Sequence, residues 1–566
     1  MKLNRINIKN YFSAIKEFFT NKKYKIFYYN FILSILCLFA FFTPDYILKI
    51  AGASRVKFEL SFFIAFLLFG FVMSLIKNKK VFLSVIIVFF CFEMIQLHYM
   101  AYFGQPITAL EIKKIFTEAH DTAQSGFKYF FIVWYIFPTM LITYGIYIYS
   151  WFKYNNKTIK HKIAYIALII ILLVKHERAY RKTLKHFLPG PTRNSIHNTL
   201  NTFSYFFVKE LWNKTVSKDI PFKEYIIEKN NNKSPDIVIM LIGESMNYQN
   251  MSLYGYQRQT TPNLDKLKNN NNFIYRKALS SSVSTSSSLP FLLNVIREAG
   301  NLKLLRSKNT NLFNLAKQNN YSTYLFTAQE SKILNDLGVN YCDLTIAKDN
   351  DPLLFNNMGD EGLFTYFHKV LNKKENKQFI VMFQRNLHSP YELNYENHKD
   401  KFEKYNINAN TRQEKMTNRY DNSMLYQDYI INKLIQDINN IKDKSILLII
   451  TGDHGQMLGE DNLYGHNILD NRVAQVPFMV YYHNYQPHIN FSILPETLSH
   501  YEISKIIANI LGYNIINPNE DGFYFIQGNN IYSDNFIIPY NRENNKIKFH
   551  RVDSIYNKYR DKIENN

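Results

Sequence analysis

The chain divides into an apolar first part and a polar second part. Five long apolar stretches lie within the first part: Phe27–Phe42, Phe58–Ile76, Val81–Phe103, Phe127–Trp151 and Ile163–Val174. A helix needs about 20 apolar residues to cross a bilayer, and the second, third and fourth stretches reach or approach that length. The fifth has only 12 residues, so a buried or interfacial helix is the alternative there. We interpret it as a span because Lys160, Lys162 and Lys175 can snorkel at its ends.

The distribution of basic residues predicts the orientation of these spans. Lysine and arginine are frequent before the first span, in the "KNKK" loop after the second and in the loop after the fourth. The positive-inside rule therefore places the N-terminus in the cytoplasm, and five spans place everything after Val174 on the outer face. The long basic leader also argues against a cleavable signal sequence.

Apolar runs alternate with helical patterns in the polar part. The runs predict five buried strands: Asp236–Ile242, Ser322–Thr327, Gln378–Phe383, Ile446–Thr451 and Val476–Tyr482. Helical patterns lie between them, as in Asn311–Asn319 and Tyr420–Ile438. Near-continuous apolar strands separated by helices indicate a mainly parallel central sheet covered on both faces. Ligands of such sheets bind at the carboxyl ends of the strands.

These patterns predict three parts of the chain. Residues 1–175 form an α-helical transmembrane domain, residues 176–233 supply helices at the membrane surface or a solvated linker, and residues 234–566 form an α/β domain. The connecting segment "KHERAYRKTLKHF" is basic with interleaved aromatic residues, which suits a helix at a lipid surface.

Charge and cysteine content exclude two classes of protein. The formal net charge is +21, but no zinc-finger, basic-repeat or RNA-binding signature accompanies it, so we expect no nucleic-acid partner. A basic surface against anionic lipid explains the charge better. Cys37 and Cys91 lie in the apolar part and only Cys342 lies in the polar part, which excludes a disulfide framework there.

Two of the predicted strands end in residues that bind metal ions. Glu244 follows the first strand in "LIGES", and Asp453 and His454 follow the fourth in "TGDHG". Carboxylates and imidazole are suitable zinc ligands, and three of them leave a catalytic position open. Taken singly, either carboxylate is also explained as a helix cap, and His454 as an ordinary loop histidine. Their occurrence at two strand ends favours one shared metal site.

A run of small hydroxyl residues supplies candidates for the open position. The segment "ALSSSVSTSSSLPFLLNVI" holds eight serines and threonines before an apolar helical stretch. These residues can cap that helix, but a helix N-terminus also attracts phosphate. A hydroxyl there, bound to a metal, becomes a nucleophile at neutral pH. Spacing alone does not identify which of the eight is used.

The motifs together resemble those of the membrane-bound phosphoethanolamine transferases of the alkaline phosphatase/sulfatase superfamily. They are "IGESMNYQNMSLYGYQRQTTPNL", the hydroxyl run ending in Pro290, "LHSPYELNY" and "TGDHGQMLGEDNLYGH", preceded by five spans in the family's order. The form of the first motif looks closest to the branch that modifies the lipopolysaccharide core. The resemblance implies an alkaline-phosphatase-like fold for the polar domain.

The resemblance also implies roles for individual residues. Thr285, five residues before Pro290, is the nucleophile and joins Glu244, Asp453 and His454 as a zinc ligand. His388 of "LHSP" and His466 of "YGH" match positions that bind the phosphate or a second metal ion. Further substrate contacts are expected from weaker matches, namely Lys332, Thr117 and Asp121.

The last two of these residues follow the third span. Thr117 and Asp121 share one helix face at i, i+4, where Asp121 can meet the ethanolamine ammonium. A solvated interfacial helix is the alternative for this segment.

The sequence departs from the family pattern beside the nucleophile. Many relatives carry a disulfide there, but Ser281 and Phe291 occupy the corresponding positions. We therefore expect packing to hold this loop.

The implied reaction is a two-step transfer that depends on Zn²⁺. The activated Thr285 hydroxyl attacks phosphatidylethanolamine and expels diacylglycerol, and an acceptor on lipid A or the lipopolysaccharide core then takes the phosphoethanolamine. One zinc ion is expected, with a possible second near His388 and His466. We expect a monomer in contact with membrane lipids, in the inner membrane of a Gram-negative cell with its catalytic domain in the periplasm.

Three other functions are alternatives for this sequence. A phosphoglycerol transferase or another phosphotransferase of the superfamily, acting on an envelope glycan or protein, shares the anchor and metal site. A sulfatase requires Cys/Ser-x-Pro-x-Arg, and "SSLPFLL" lacks the arginine. A non-catalytic scaffold on a degenerate fold conflicts with the intact set Glu244, Thr285, Asp453 and His454.

Overall fold

The computed structural model describes most of the chain. It covers residues 22–52, 54, 56–103, 106–109, 111–112, 133–181, 187, 189–190, 192–211, 220–373, 377–529, 531, 536–550 and 553–564. The chain forms two compact units, Met1–Lys214 and Thr215–Asn566.

Helices make up the first unit. They are α1 (Lys22–Ile50), α2 (Leu60–Ser74), α3 (Lys79–Phe103), α4 (Ile136–Tyr154), α5 (Ile163–Arg181) and α6 (Ser195–Tyr205), with a π turn at Phe206–Glu210. A helix lies at each of the five predicted spans. Among the described residues, two helices have the length and apolar character to cross a membrane, over Phe27–Ile50 and Lys79–Tyr102. The five-span topology stays a prediction.

Close packing joins these helices. A Cβ atom on Gly70 of α2 would lie 2.8 Å from the Cα of Ser34 of α1, so only glycine permits this approach. The rings of Phe82 in α3 and Trp151 in α4 stack with centroids 4.0 Å apart. The fifth apolar stretch, from Ile163, continues as helix through Arg181, and no proline or glycine lies between Val174 and Arg181.

The second unit is built around an eight-stranded sheet. The strands of this unit are β1 (Ile226–Lys229), β2 (Ile237–Gly243), β3 (Phe273–Leu279), β4 (Ser322–Thr327), β5 (Leu344–Ile346), β6 (Gln378–Phe383), β7 (Ile446–Gly452), β8 (Met457–Leu458), β9 (Tyr464–Gly465), β10 (Gln475–His483), β11 (Thr497–Ser499), β12 (Tyr513–Ile516), β13 (Tyr524–Gln527), β14 (Phe536–Glu543), β15 (Lys546–Phe549) and β16 (Asp553–Ser554). The central order is β11–β3–β10–β7–β2–β6–β4–β5. All five predicted strands are part of it.

The central sheet is mixed rather than parallel throughout. Strand β10 runs antiparallel to both β3 and β7, whereas the other described neighbours are parallel. The segment between β7 and β10 holds only the β8–β9 ladder and a single helical turn, Glu460–Asn462. It does not cross back over the sheet, so the chain re-enters in the opposite direction. The remaining strands form a two-stranded sheet, in which β1 pairs with β12, and a four-stranded sheet of β13, β14, β15 and β16.

Helices cover the sheet. They are α7 (Pro262–Asp265), α8 (Thr285–Leu293), α9 (Leu302–Ser307), α10 (Leu312–Gln318), α11 (Pro352–Met358), α12 (Gly362–Leu371), α13 (Lys399–Phe402), α14 (Arg412–Asn439), α15 (His500–Ile510) and α16 (Ile555–Glu564). Val238, Met240 and Ile242 of β2 pack in one core with residues of α8, α10 and α15. Ile239 and Leu241 point to the opposite face and are also fully buried, so both faces are covered.

Local sequence explains where the two predicted helices begin. Thr411 caps α14 with Glu414 in a reciprocal capping box, and the predicted segment Tyr420–Ile438 lies within this helix. Asn311 caps α10 by accepting hydrogen bonds from the backbone N–H groups of Phe313 and Asn314.

Candidate metal centre

Strand register brings Glu244 and Asp453 together. Gly243, the last residue of β2, pairs in parallel with Gly452, the last residue of β7. The next residue of each strand is a carboxylate, so both acids leave the sheet at the same level. The backbone N–H of Asp453 donates to the carbonyl oxygen of Gly243 at 3.0 Å. Glu244 and Asp453 are therefore brought together because each directly follows the last residue of one of two paired strands.

Glu244, Asp453 and His454 form a buried cluster of potential metal ligands. One donor atom from each lies within 4.8 Å of the others, and all three residues are buried. His454 Nε2 lies 3.7 Å from Glu244 Oε1 and 3.4 Å from Asp453 Oδ2. In the described part of the chain, one group of three or more His, Cys, Asp or Glu residues has ligand atoms this close together, and it is this cluster.

The orientation of His454 suits metal binding. Its Nδ1 lies 2.9 Å from the carbonyl oxygen of Gly455, so we assign the hydrogen to Nδ1. The Nε2 lone pair then faces the two carboxylates. Histidine ligands of metals are held in this way by a hydrogen bond from the other ring nitrogen.

Thr285 faces all three ligands. Its Oγ1 lies 2.7 Å from Asp453 Oδ2, 3.1 Å from His454 Nε2 and 3.3 Å from Glu244 Oε2. Ser284 occupies the N-cap position of α8 and Thr285 is the first helical residue, so the Thr285 hydroxyl is not used as a cap. Two carboxylates, one imidazole and one hydroxyl make four donors, a set that fits zinc.

Electrostatics in the cluster favours a cation. Burial and the nearby Glu244 carboxylate raise the pKa of Asp453 well above its usual range. Burial also opposes ionisation of Glu244, but the neighbouring histidines His454 and His388, together with the hydrogen bonds from Gln329 and Ser245, lower the pKa of Glu244. A bound cation offsets the repulsion between two buried carboxylates.

Hydrogen bonds hold the hydroxyl-rich loop against the ligand loop. The hydroxyl of Ser280 donates to the carbonyl oxygen of Asp453 at 2.6 Å, and that of Ser288 contacts the same oxygen. His500 Nε2 lies 3.0 Å from the carbonyl oxygen of Gly452, and burial lowers the pKa of His500 to about 3. A neutral His500 therefore donates through Nε2 and accepts at Nδ1.

The two positions that replace the family's cysteines behave differently. Phe291 is buried in the core, which fits the expectation that packing holds the loop. Ser281 instead supplies its carbonyl oxygen to the N–H of Gln527 at 2.8 Å. Hydrogen bonds therefore support the loop in addition to packing.

Two residues that the sequence did not single out contact the ligands. Gln329, in the loop after β4, donates from Nε2 to Glu244 Oε2 at 2.8 Å. Ser245 donates its N–H to Asp453 Oδ1 and its hydroxyl to Glu244 Oε1, both at 2.8 Å. Ser245 reaches both carboxylates because its backbone is left-handed, with φ at +50°. In the sequence, only the position of Ser245 directly after Glu244 indicates that either of these residues contacts a ligand.

The structure places His388 and His466 beside the cluster. The His466 ring centroid lies 4.5 Å from that of His454 and 6.2 Å from that of His388. His466 Nδ1 lies 3.2 Å from Gln456 Oε1, and Gln456 in turn contacts Tyr391. Their predicted contacts with phosphate or a second ion stay predictions.

Three predicted site residues remain, namely Lys332, Thr117 and Asp121. Lys332 is exposed on the single turn Ser331–Leu334, two residues beyond the loop residue Glu330. Thr117 and Asp121 lie outside the described residues. Their substrate contacts stay predictions.

Comparison with known proteins gives a family match and several related sequences. Residues 236–513 match the Sulfatase family. Phosphoethanolamine transferase EptA of Escherichia coli K12 is 25% identical over 318 residues, covering 50% of this chain and 54% of that protein. EptA of Helicobacter pylori is 28% identical over 270 residues, covering 44% and 48%. Kdo(2)-lipid A phosphoethanolamine 7''-transferase of Salmonella typhimurium is 26% identical over 263 residues, covering 43% and 44%.

The chain spans about half the length of these curated relatives. A longer match is structural: the integral membrane protein lipooligosaccharide phosphoethanolamine transferase A (EptA) from Neisseria meningitidis aligns with a TM-score of 0.55. The alignment covers 86% of this chain and 95% of that chain at 18% identity. It shows a shared fold, and the sequence matches confirm the resemblance that the motifs indicate. The placement nearest the core-modifying branch stays a prediction.

Proposed function

We propose that this chain, whose residues 236–513 match the Sulfatase family, is a zinc-dependent phosphoethanolamine transferase of the bacterial envelope. The observation that carries the proposal is the contact of the Thr285 hydroxyl oxygen with Glu244, Asp453 and His454, at 2.7 to 3.3 Å. The names of the curated relatives support phosphoethanolamine as the transferred group. Phosphatidylethanolamine is the donor.

The first half-reaction uses Thr285 as the nucleophile. Its oxygen forms a bond to the phosphorus, the bond from phosphorus to the glycerol oxygen breaks, and diacylglycerol leaves with a proton. Asp453 Oδ2, at 2.7 Å, is the nearest of the three acceptors for the hydroxyl hydrogen. Thr285 is half-buried and so remains accessible to the donor headgroup. Glu244, Asp453 and His454 would hold the zinc ion, which when bound would lower the pKa of the hydroxyl and offset charge on the phosphoryl oxygens.

The second half-reaction returns Thr285 to its starting state. An oxygen of the acceptor forms a bond to the same phosphorus, the bond to Thr285 breaks, and the acceptor's proton balances the step. The rings of His466 and His454 are neighbours, as are those of His388 and His466, and we assign His388 and His466 to contacts with the phosphoryl oxygens. Lys332 is a further candidate for the same role. Thr117 and Asp121 are candidates for the ethanolamine group.

The cellular site follows from the lipid donor. Five spans place the second unit on the outer face of the inner membrane of a Gram-negative cell, in the periplasm. Phosphorylated lipid A and core precursors reach that face, and their anionic groups suit a protein with a net charge of +21. One curated relative carries lipid A in its name. Lipid A or a core sugar is therefore the acceptor that we propose.

Mass spectrometry of the product tests this function. Lipopolysaccharide from cells that express the chain is separated into lipid A and core. The masses of the molecules in each fraction are compared with those from cells that express Thr285→Ala. Gain of phosphoethanolamine in one fraction, lost in the variant, is the expected result and identifies the acceptor class. Unchanged masses in both fractions, with the group on a protein or glycan, overturn this acceptor. A glycerol phosphate adduct instead indicates the phosphoglycerol alternative.

A further inference from the structure

A cleft of about 700 Å³ lies on the second unit, and none of its lining residues belongs to the metal centre. Its size is that of a small-molecule site. The polar and aromatic residues that line it come from the "MSLYGY" motif, from the segment after α7, from β3 and from the segment before β11. They are Tyr254, Lys268, Tyr275, Arg276, Lys277 and Glu496. Leu253, Tyr254 and Gly255 of the motif thus line this cleft.

The cleft is cationic. Its lining includes three basic residues, Lys268, Arg276 and Lys277, and one acidic residue, Glu496. The pair between Lys277 Nζ and Glu496 spans 3.0 Å, but the two side chains are 39% and 70% exposed, so water screens it and it contributes little. Lys268 Nζ lies 3.7 Å from Asp265 Oδ1 and is also 39% exposed. An incoming phosphate can therefore compete for both ammonium groups.

Arginine adds directional donors to this surface. The guanidinium of Arg276 donates to the carbonyl oxygens of Tyr275 and Ser492 at 2.8 and 2.9 Å. Guanidinium has five N–H donors, so these two bonds fix its plane and leave donors for an anion. This geometry suits recognition of a phosphate group.

Two tyrosine rings form an aromatic wall. The rings of Tyr254 and Tyr275 meet edge to face, with centroids 5.4 Å apart. The Tyr254 hydroxyl donates to the backbone carbonyl oxygens of Arg276 and Phe478, at 3.1 and 3.2 Å, which anchors its ring to β3 and β10. Anchored aromatic faces provide apolar area at little entropic cost, as packing against a sugar ring requires.

Strand β3 links the cleft to the metal centre. Lys277 in the cleft and Ser280 against Asp453 are three residues apart, which is about 10 Å along a strand. A ligand that fills the cleft is thus held at one end of the segment that leads to Thr285.

We propose that this cleft binds a phosphorylated saccharide and so docks the acceptor for the second half-reaction. The inference rests on the proposed function, because it assigns a binding site to the acceptor of that reaction. Lipid A and the phosphorylated core carry the same chemistry, a sugar ring beside a phosphate.

The two half-reactions separate this role from catalysis. Zinc-loaded full-length protein and the double variant Lys268→Glu/Lys277→Glu are compared in two assays. The first is release of diacylglycerol from phosphatidylethanolamine in a single turnover without acceptor. The second is transfer to purified lipid A or to core-bearing lipopolysaccharide. Lys303→Glu, which breaks a more exposed ion pair with Glu224 at 2.8 Å outside the cleft, is the control for reversal of a surface charge.

We expect diacylglycerol release to stay within about twofold, and the KM for the acceptor to rise about tenfold or more for loss of charged hydrogen bonds. The arm in which KM rises identifies the saccharide. An unchanged KM in both arms overturns the proposal, as does loss of diacylglycerol release together with transfer. If the double variant fails to fold, Lys277→Gln replaces it, with a smaller rise expected.

A direct binding measurement covers failure of the proposed function. If wild-type protein releases no diacylglycerol, the affinity of lipid-free core oligosaccharide for wild type and for the double variant is measured, with inorganic phosphate as competitor. Weaker binding by the variant supports the cleft, and equal affinity overturns it.

Discussion

The phenolic hydroxyl of Tyr420 donates a hydrogen bond to the carbonyl oxygen of Ser245 at 2.7 Å. The same hydroxyl accepts the N–H of Asn247 at 3.0 Å. Tyr420 is buried in α14, so this helix clamps the left-handed turn that follows β2. This turn positions Ser245 to donate hydrogen bonds to carboxylate oxygens of Glu244 and Asp453. Tyr420 therefore acts on the metal ligands through the backbone.

Removal of this hydroxyl is expected to weaken zinc binding without unfolding the protein. Tyr420→Phe keeps the ring and loses both hydrogen bonds, and such outer contacts contribute about 10-fold to 100-fold in metal affinity. Competition with a chelating dye measures the affinity. Tyr426→Phe, buried on the same helix, is the control. Equal zinc affinity in wild type and both variants would show that the clamp has no role.

Thr285→Ala is expected to abolish transfer and leave the fold intact. The side chain is half-buried at the start of α8, and its loss removes the group that bonds to phosphorus. The measurement is the mass of the peptide that contains residue 285 after incubation with phosphatidylethanolamine, together with product formation. Turnover retained by the variant would move the nucleophile to a neighbouring serine, and an adduct on that serine would identify it.

Removal of any one ligand is expected to lower zinc content. Glu244→Gln, Asp453→Asn and His454→Ala each delete a donor from a cluster whose atoms lie within 4.8 Å of one another. Elemental analysis of the purified proteins gives zinc per chain. Full occupancy in all three variants would contradict a shared site. His388→Ala and His466→Ala then test a second ion, since only partial zinc loss is expected from them.

The predicted topology is testable with reporters. Five spans place a reporter fused after Leu188 in the periplasm and a reporter inserted within Lys77–Lys80 in the cytoplasm. Enzyme reporters active in only one compartment distinguish these locations. Both reporters on one side would contradict five spans, and the short segment Ile163–Val174 would then be the first candidate for a helix that does not cross the membrane.

Acid is expected to destabilise the second unit partly through His500. Burial lowers its pKa to about 3, below the value of about 6.5 in an unfolded chain. The unfolded chain binds the extra proton between these values, so stability falls by about 1.4 kcal/mol for each pH unit below 6.5. The melting temperature of wild type should thus drop faster than that of His500→Gln between pH 7 and 4.

The control for this experiment retains the imidazole. Ser288→Ala removes a hydroxyl 3.4 Å from His500 Nδ1 but keeps the titrating group, and should follow the wild-type pH dependence. A constant difference in melting temperature between wild type and His500→Gln would mean that His500 does not govern this response.

The metal ligands could be predicted from sequence because their positions depend on local pattern. Apolar runs that form buried strands end abruptly before Glu244 and Asp453, and parallel strands bring their carboxyl ends to one edge. Gln329 and Tyr420 were not predictable in the same way. Gln329 reaches Glu244 only because β4, β6 and β2 are neighbours, and Tyr420 depends on how α14 packs.

Strand β3 shows a second limit. Its sequence, Phe273–Leu279, carries Tyr275, Arg276 and Lys277 in its middle and lacks a continuous apolar run. The strand lies between β10 and the short β11, where polar side chains reach solvent. The direction of β10 was equally hidden, because it is determined by the path of the connecting segment and not by the composition of the strand.

The pairing of Gly243 with Gly452 has a consequence for how the metal site forms. Ser245 and Asp453 are 208 residues apart in sequence, and closing a loop of that length costs about 5 kcal/mol of chain entropy. The ladder between β2 and β7 offsets that cost before any ion arrives, unlike a zinc finger, which folds on its metal. The ligand positions are thus a rigid frame, and the side chains on it can be exchanged for another metal or chemistry while the sheet stays folded.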